Sequence, residues 1–375
     1  MSNESNLRVG ILGAARIAKK NVAALRSVSS GCDFVAIASR SLEKAQAFVR
    51  DYVSTEGEET MIQIFGGDSA YDELIQSDSV SAVYVPLPVS VKKEWIIKAL
   101  RNKKHVLCEK PVSVNSGDYE DLLCIAKEEN RFLMDGTMFV HNIRTHQIMD
   151  FISEGGLGQV SRINSEFCFT GDDEFFSQDI RISKDGDPHG CIGDLGWYNI
   201  RLAQLVAKAN HSARAKKVQT TYWKLNSNNV PIDAQGLVFF ANDDTNETDM
   251  ILSFHCSFLH VLQQRVSIVG SEKTLDVNDF VIPREDACVY SLHGQTLTVN
   301  EVFSTLSNEY VEVQCNPVQE VLMWRNFSKI CEEIEKSNDW TNIEAVTLSE
   351  ISLENQRIID GLMESIAQDG KPVYL

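Results

Sequence analysis

A lysine and a tyrosine in distant parts of the chain are the clearest candidates for catalytic chemistry. Lys110 stands between Glu109 and Pro111, directly after a short apolar run, and the adjacent proline restricts where its ammonium can reach. Asp194 and Tyr198 are four residues apart, so a helix there would place them on one face. A tyrosine with a cation nearby can give up or accept a proton. These residue types therefore suit proton transfer to and from an oxygen atom.

Both features also have a purely structural interpretation. A lone lysine at the end of an apolar run often extends to solvent. Tyr198 can equally be a core residue, with Asp194 capping the start of its helix. For the tyrosine segment taken alone, the structural interpretation has at least equal weight.

The first third of the chain predicts the element that positions Lys110. Short apolar runs, each a candidate strand, occur at Leu7–Leu12, Phe34–Ala38, Ile62–Phe65, Ala82–Val85, His105–Cys108 and Phe132–Met134. Helix-like stretches such as Ser41–Tyr52, Ser90–Arg101 and Ser116–Glu129 separate them. The alternation predicts an α/β domain over residues 1–136 with a doubly wound parallel sheet. Lys110 then follows the fifth strand at its carboxyl end, where such sheets bind ligands.

The pattern changes after Gly136. A helix is predicted near Arg144–Ser153 and another at Ile192–Lys208, and strand-like segments occur at Val160–Thr170, Val218–Leu225, Gly236–Ala241, Met250–Phe258 and Arg265–Val269. Consecutive strands predict a large open, mostly antiparallel sheet. We therefore expect an α+β domain over residues 137–375. Its last helices, Pro317–Lys336 and Thr347–Gln368, either stay in this domain or pack back on the first.

A glycine-containing turn joins the first strand to the next helix and includes Gly10, Gly13, Ala15, Arg16 and Ile17. Such a turn can hold a pyrophosphate through backbone N–H groups and the helix dipole. The G-x-G-x-x-G/A motif is matched imperfectly, because its middle glycine is Ala15. Glycine in such a turn can also serve packing alone, but the position at the start of a βαβ unit favours a dinucleotide site.

The end of the second strand distinguishes two dinucleotides. An NAD site uses a carboxylate there for the ribose hydroxyl, whereas a 2′-phosphate requires a cation. The sequence is Ala38-Ser39-Arg40-Ser41, and a guanidinium with hydroxyl donors matches a phosphate. Arg40 can also be a solvated residue ahead of a helix, but the absent acid favours NADP(H).

The composition narrows the class of protein further. The chain has 375 residues, 43% hydrophobic and 23% charged, as in a globular protein of two domains. A formal charge of −18 argues against a nucleic-acid partner. Nine cysteines and eight histidines show no zinc spacing, so we expect reduced thiols and no metal. With no secretory leader and no long apolar run, we expect a cytoplasmic protein without a membrane partner.

Together these residues resemble the glucose–fructose oxidoreductase / inositol dehydrogenase (Gfo/Idh/MocA) family. The resemblance covers nearly the whole chain and rests on the Val9–Gly13 turn, on Glu109-Lys110-Pro111, and on Gly190 followed by Asp194-x-Gly196-x-Tyr198. Many members have histidine at the position of Tyr198. In having tyrosine there, this chain resembles the branch of dihydrodiol dehydrogenases and NADP-dependent D-xylose dehydrogenases. The stretches Met134–Met138, His141–Thr145 and Gly196–Tyr198 look most similar to uncharacterised plant-type members of that branch.

The resemblance implies an oxidoreductase with a Rossmann domain and an α+β domain, which transfers a hydride between NADP(H) and a CH–OH or C=O carbon of a sugar, sugar derivative or trans-diol. It implies that Tyr198 transfers the proton, that Lys110 bonds the reacting oxygen and lowers the pKa of Tyr198, and that Asp194 orients the substrate or supports the pair. A homodimer through the sheet of the second domain is also implied. The expected cofactor contacts are Gly10, Gly13, Ala15, Arg16, Ile17, Ser39, Arg40, Leu87, Pro88, Glu109 and Lys110, and the expected substrate contacts are His141, Arg181, His189 and Trp197.

One departure from the family pattern keeps alternatives open. Members often have Thr-Pro-Asn-x-x-His after the fourth strand, where this chain has Leu87-Pro88-Val89-Ser90-Val91-Lys92. A catalytically inactive NADP-binding sensor is therefore an alternative, and so is glycoside or C–O chemistry through transient oxidation. Loops at Asp172–Pro188 and Pro283–Glu312 are expected to set substrate specificity.

Overall fold

The computed structural model describes residues 6–27, 30–52, 62–210, 214–241, 248–284, 287–297 and 304–375. The chain divides into two compact units. The first comprises Met1–His141 with Pro317–Leu353, and the second comprises Asn142–Asn316 with Glu354–Leu375.

A six-stranded parallel sheet forms the centre of the first unit. Its strands are β1 (Leu7–Leu12), β2 (Cys32–Ser39), β3 (Gln63–Gly66), β4 (Ala82–Val85), β5 (His105–Cys108) and β6 (Leu133–Asp135), in the order β3-β2-β1-β4-β5-β6. Every pairing is parallel. The strand order reverses between β1 and β4, the position at which open α/β sheets bind ligands. The prediction of a doubly wound sheet is confirmed.

Helices cover both faces of this sheet: α1 (Ala18–Leu25), α2 (Leu42–Tyr52), α3 (Ala70–Gln76), α4 (Val89–Arg101), α5 (Ser116–Glu128) and α9 (Gln319–Ser337). Val9 and Ile11 of β1 pack on one face with Trp324 and Phe327 of α9. Leu12 belongs to a separate cluster on the other face with Leu74 of α3. Burial on both faces explains why the strands appear in the sequence as continuous apolar runs.

The second unit contains a nine-stranded sheet. Its strands are β7 (Val160–Thr170), β8 (Arg214–Leu225), β9 (Pro231–Ala241), β10 (Thr248–Ser257), β11 (Leu259–Gly270), β12 (Thr274–Val277), β13 (Cys288–Leu297), β14 (Ser304–Val313) and β15 (Val373–Tyr374), in the order β14-β13-β12-β11-β7-β10-β9-β8-β15. Only the β7–β10 pair is parallel among these described strands. The mostly antiparallel sheet is therefore confirmed.

Three helices belong to the second unit: α6 (Ile143–Ser153), α7 (Asp173–Gln178) and α8 (Trp197–Ala209). The last helix, α10 (Ile343–Ala367), contributes residues up to Leu353 to the first unit and the remainder to the second. No helix in the described ranges is long and apolar enough to cross a membrane.

Two expectations about the second unit were wrong. The segment Pro283–Glu312 is not a loop, because β13 and β14 pair along their length from Cys288 opposite Val313 to Leu297 opposite Ser304. Asp172–Pro188 is only partly a loop, since it contains α7 and a 3₁₀ turn at Ile180–Ile182. Residues 307–310 of β14 are all exposed, so much of this strand lacks the alternation of apolar and polar residues that predicts a strand.

The expectation of reduced thiols was also wrong for one pair, because Cys288 and Cys315 form a disulfide. Cys288 lies at the open end of the β13–β14 hairpin, opposite Val313, and Cys315 follows β14 two residues later. The pairing depends on a hairpin between residues far apart in sequence, so cysteine spacing alone did not reveal it.

Buried His105 provides a pH-dependence that can be measured. Its Nδ1 accepts a hydrogen bond from the Phe132 N–H at 2.9 Å, and its Nε2 lies 3.2 Å from Glu335 Oε1. Burial lowers the pKa of His105, so the folded protein resists the proton that the unfolded chain takes up near pH 6.5. We expect the free energy of unfolding to decrease as the pH falls below about 6.5. The contribution of His105 to this decrease is at most about 1.4 kcal/mol per pH unit.

Urea denaturation at pH 7.5 and pH 5.5 would check this expectation. The variant His105→Asn keeps an acceptor for the Phe132 N–H but does not titrate, so its stability should change less between the two pH values. An equal change in both proteins would contradict the role of His105.

Candidate active site

The turn after β1 has a backbone that requires glycine at one position. Gly13 has a φ of +96°, and its N–H donates to the Ala38 carbonyl at 2.7 Å. A Cβ at Gly13 would lie 3.2 Å from Leu87 and 3.3 Å from the Tyr71 hydroxyl. At Gly10 a Cβ would approach Leu74 to 2.7 Å. Gly13 therefore shapes the turn, and Gly10 allows α3 to pack closely.

Helix α1 begins beyond this turn with an N-terminus that suits an anion. Ile17 precedes its first residue and cannot cap it, and the first turn contains no acidic residue. Ala15 is half-buried, Arg16 is exposed, and 47% of Ile17 is exposed despite its apolar side chain. The Ala18 and Lys19 N–H groups donate to the Ala15 and Arg16 carbonyls at 3.0 and 3.3 Å. The helix dipole, with no acidic residue in the first turn, favours a pyrophosphate here. The residues present therefore fit the diphosphate of a dinucleotide.

The end of β2 carries a positive charge. Ser39 is buried, and its Oγ accepts a hydrogen bond from the Ser41 N–H at 3.2 Å. Arg40 is exposed. Burial raises the pKa of Tyr71, whereas the positive charge of Arg40 acts to lower it. A guanidinium beside two serines, with no acid in that stretch, fits a 2′-phosphate.

The segment that carries Lys110 is held by a buried lysine whose role the sequence did not reveal. Lys92 is 1% exposed, and its Nζ donates to the Glu109 carbonyl at 2.6 Å and to the Pro111 carbonyl at 2.7 Å. These two carbonyls flank Lys110, so Lys92 fixes the backbone on both of its sides. A possible signal was the burial spacing along α4, because Lys92 lies on the same stripe as Val89, Ile96 and Ala99.

Glu109 is held by a chain of side-chain hydrogen bonds. Its Oε1 accepts from the Tyr84 hydroxyl at 2.5 Å, Asn21 Nδ2 donates to that hydroxyl at 2.8 Å, and Trp324 Nε1 donates to Asn21 Oδ1 at 2.9 Å. Burial raises the pKa of Glu109, while Tyr84, Lys92 and Lys110 act to lower it. Leu87 and Pro88, which immediately precede α4, are half-buried. The carboxyl ends of β4 and β5 thus carry the predicted cofactor residues Leu87, Pro88, Glu109 and Lys110.

In the second unit, Asp194 lies inside a single π-helical turn, Ile192–Gly196, directly before α8. It is therefore not the cap of a helix. Its Oδ2 accepts from Arg181 at 3.2 Å, and Arg181 also binds both carboxylate oxygens of Asp179, at 2.8 and 2.9 Å. Burial acts to lower the pKa of Arg181, but the two carboxylates raise it overall. The structure brings together Arg181 and Asp194, two of the predicted site residues, in a turn type that is frequent at functional sites.

Tyr198 occupies the first turn of α8. It is 7% exposed, and its ring packs edge-on against Phe167 of β7 with centroids 5.4 Å apart. Trp197 has no exposed surface and packs against the Arg201 guanidinium. His189 is also buried, and its backbone N–H donates to Asp187 Oδ1 at 3.0 Å. His141 belongs to the first unit, where it is buried in a 3₁₀ turn at Met138–His141.

Two family models match the chain in succession. Residues 7–137 match a model described as the oxidoreductase family with an NAD-binding Rossmann fold, GFO_IDH_MocA. Residues 145–276 match the GFO/IDH/MocA C-terminal domain.

Curated relatives match about half of the chain. A dTDP-3,4-didehydro-2,6-dideoxy-alpha-D-glucose 3-reductase from Actinomadura kijaniata is 33% identical over 56% of this chain and 58% of its own length. A D-xylose 1-dehydrogenase (NADP(+)) from Haloferax volcanii is 31% identical over 52% of this chain and 56% of its own length. The match thus spans less than two thirds of each relative.

A solved structure is similar over nearly the whole chain. It is a 3-ketoreductase from Actinomadura kijaniata in complex with NADP and TDP-benzene, with a TM-score of 0.76 and 25% identity over 96% of this chain and 98% of that one.

Proposed function

Because the chain belongs to the Gfo/Idh/MocA family, we propose that it is an NADP(H)-dependent oxidoreductase acting on a CH–OH or C=O carbon of a sugar, sugar derivative or trans-diol. The observation that carries this proposal is the anchored segment at the carboxyl end of β5. Two carbonyls held by a buried lysine fix the backbone around Lys110 close to the reversal of strand order. A fixed backbone at Lys110 limits where its ammonium can reach, and a defined position of the proton-transfer groups is what general acid–base catalysis requires.

We propose the following cofactor contacts in the first unit. Gly13 and Ala15–Ile17 would hold the diphosphate, and Ser39 with Arg40 would hold the 2′-phosphate. Gly10 is left out, because it lies within β1 and its missing side chain makes room for Leu74 of α3. Leu87, Pro88, Glu109 and Lys110 would line the nicotinamide end. When bound, NADP(H) supplies or accepts the hydride.

Tyr198 moves the proton in this proposal. It donates to the oxygen that gains negative charge during reduction and accepts from the hydroxyl during oxidation. The Lys110 ammonium bonds that oxygen and favours the ionised form of Tyr198. Asp194, fixed by Arg181, orients the substrate.

The substrate residues are proposed with one omission. Arg181, His189 and His141 remain candidates, because each has polar groups that suit hydroxyls of a carbohydrate. Trp197 is left out because its side chain has no exposed surface.

Turnover with a panel of compounds tests the proposal. The panel contains aldoses, sugar phosphates, trans-diols and the nucleotide-linked keto-sugar named for the Actinomadura kijaniata reductase, each assayed with NADP⁺ or NADPH. Turnover of at least one compound, lost in Tyr198→Phe, is the expected result. NADPH binding without turnover of any compound would favour the sensor alternative. The departure from the family pattern at Lys92, which motivated that alternative, has a structural role in the contacts with the Glu109 and Pro111 carbonyls.

Arg40→Ala is expected to weaken NADPH binding about tenfold, since it removes a charge-assisted contact to the 2′-phosphate. Binding of NADH, which lacks this phosphate, should not change. Fluorescence titration of both cofactors measures the difference, and Arg50→Ala, another exposed arginine on the adjoining α2, is the matched control. Equal weakening of both cofactors would contradict a 2′-phosphate contact.

We also propose a homodimer through the exposed face of the nine-stranded sheet. That face carries polar residues, including Asn164, Glu166, Ser253 and Arg265, which line a groove of about 620 Å³. Light scattering during size-exclusion chromatography tests it: twice the chain mass is expected, and the mass of a single chain would contradict it.

A further inference from the structure

Three potential metal ligands meet on the sheet of the second unit, outside the residues discussed above. Asp233 lies on β9, His255 on β10 and His260 near the start of β11. One ligand atom from each residue lies within 4.8 Å of the corresponding atoms of the other two. We propose that Asp233, His255 and His260 form a binding site for a divalent transition-metal ion such as Zn²⁺.

The distances fit a single ion bound by all three side chains. His255 Nε2 lies 2.8 Å from Asp233 Oδ1, and His260 Nε2 lies 3.8 Å from Asp233 Oδ2. Tetrahedral zinc with bonds of about 2.0–2.1 Å holds its ligand atoms about 3.3 Å apart. The two distances, one to each carboxylate oxygen, lie on either side of that value. The three ligand atoms lie within 4.8 Å of one another, so small side-chain rotations can bring them to one ion.

Strand register places two of the ligands side by side. His255 stands opposite Gln235, and Asp233 is two residues from Gln235 on the same strand. Residues two apart on a strand share a face, and diagonal cross-strand neighbours are within reach of long side chains. Asp233 and His255 therefore point to the same side of the sheet.

An irregularity in β11 supplies the third ligand. Leu259 pairs with Thr170 and Gln263 with Cys168, so residues 260–262 stand opposite a single residue of β7. Such a bulge redirects side chains, and it brings the His260 ring to 5.2 Å from the His255 ring. Two exposed apolar residues of the bulge, Val261 and Leu262, flank the redirected histidine.

The environment of Asp233 favours a cation. Its side chain is 7% exposed, and in the described ranges its side-chain partners are the two imidazoles and the Tyr222 hydroxyl. A nearly buried carboxylate is costly unless a positive charge compensates it. In the single chain the side chains of His255 and His260 are 30% and 50% exposed, which leaves room for an ion and a solvent ligand.

His255 also has a partner on its other ring nitrogen. Its Nδ1 lies 3.7 Å from Cys168 Sγ, so Nε2 is left facing Asp233. Metal-binding histidines typically have such a second contact, which fixes the ring and the tautomer. The sequence indicated no metal because the three ligands come from three strands and match no zinc motif.

Calorimetric titration of the full chain with Zn²⁺, after treatment with EDTA, tests the site without any substrate. We expect one ion per chain, and we expect His260→Ala to weaken binding more than about 100-fold, beyond the loss typical of an outer contact. The matched control is His293→Ala, a histidine of β13 that lines the same groove as His255 and lies beside an aspartate, which should leave binding unchanged.

Titration with Co²⁺ adds a spectroscopic readout, since a tetrahedral site gives intense visible absorption that His260→Ala and Asp233→Asn should abolish. Absence of binding in the unmodified protein would overturn the site. Equal binding by the unmodified protein and His260→Ala would overturn it as well.

Discussion

Replacement of Tyr198 by phenylalanine is expected to lower kcat about 10³-fold while leaving the affinity for NADPH unchanged. The variant removes only the hydroxyl, and general acid–base groups typically contribute 10²–10⁴-fold. The ring contact with Phe167 does not involve the hydroxyl, so the packing of α8 on β7 should remain. Steady-state kinetics in both directions, with a fluorescence titration of NADPH, would measure the two quantities.

A second buried tyrosine of the same unit provides the control for Tyr198→Phe. Tyr290 lies on β13, is 4% exposed, and has a pKa raised by burial. Tyr290→Phe should leave kcat unchanged. Normal turnover by Tyr198→Phe would show that another group transfers the proton.

Replacement of Lys92 by methionine is expected to lower kcat about 100-fold with little change in the KM for NADPH. Methionine has a similar length but no donor, so the Glu109 and Pro111 carbonyls lose their hydrogen bonds. The backbone around Lys110 would then relax, and a displacement of about 1 Å can cost 10²-fold in rate. The pH profile of kcat should also change, because the Lys110 charge would act less strongly on Tyr198.

Lys104 offers a matched control at the other end of the same sheet. It is also a buried lysine, and its Nζ donates to the Ser77 carbonyl at 2.8 Å and the Val80 carbonyl at 2.6 Å. Lys104→Met and Lys92→Met should both cost about 1–3 kcal/mol of stability, because each leaves buried carbonyls without a donor. Only Lys92→Met should change kcat and its pH profile. Equal kinetic effects of the two variants would show that Lys92 has only a structural role.

The parallel sheet of the first unit could be predicted almost completely from its sequence, whereas the placement of Pro317–Leu353 in this unit was left open. The bounds of β1, β4 and β5 agree with the predicted runs, because strands buried on both faces consist of continuous apolar residues between polar turns. The glycine turn was also recognisable, since it depends on a few consecutive residues, and the role of Arg40 stays a prediction.

The second unit was predictable only where its pattern is local. The bounds of β7 were found, but β13 and β14 were taken for a loop. Residues 307–310 of β14 are all exposed, and a stretch without buried apolar residues has no clear strand pattern. The Cys288–Cys315 disulfide depends on that hairpin and was missed with it.

The missed parts of the candidate sites have a common cause. Lys92 acts on carbonyls 17 and 19 residues away in the sequence, and nothing near Lys92 in the sequence indicates these partners. The cluster of Asp233, His255 and His260 likewise depends on strand register and on a bulge. Both features result from tertiary structure, which a pattern of neighbouring residues does not encode.

The central claim is that Lys110 and Tyr198 serve one proton-transfer step, and a double-mutant cycle of kcat tests it most directly. The cycle compares Lys110→Met, Tyr198→Phe and the double variant with the unmodified enzyme. Residues that act as a unit are strongly non-additive, so the double variant should be about as slow as the slower single variant. Losses that multiply in the double variant would show that the two residues act independently, and would contradict the proposed chemistry.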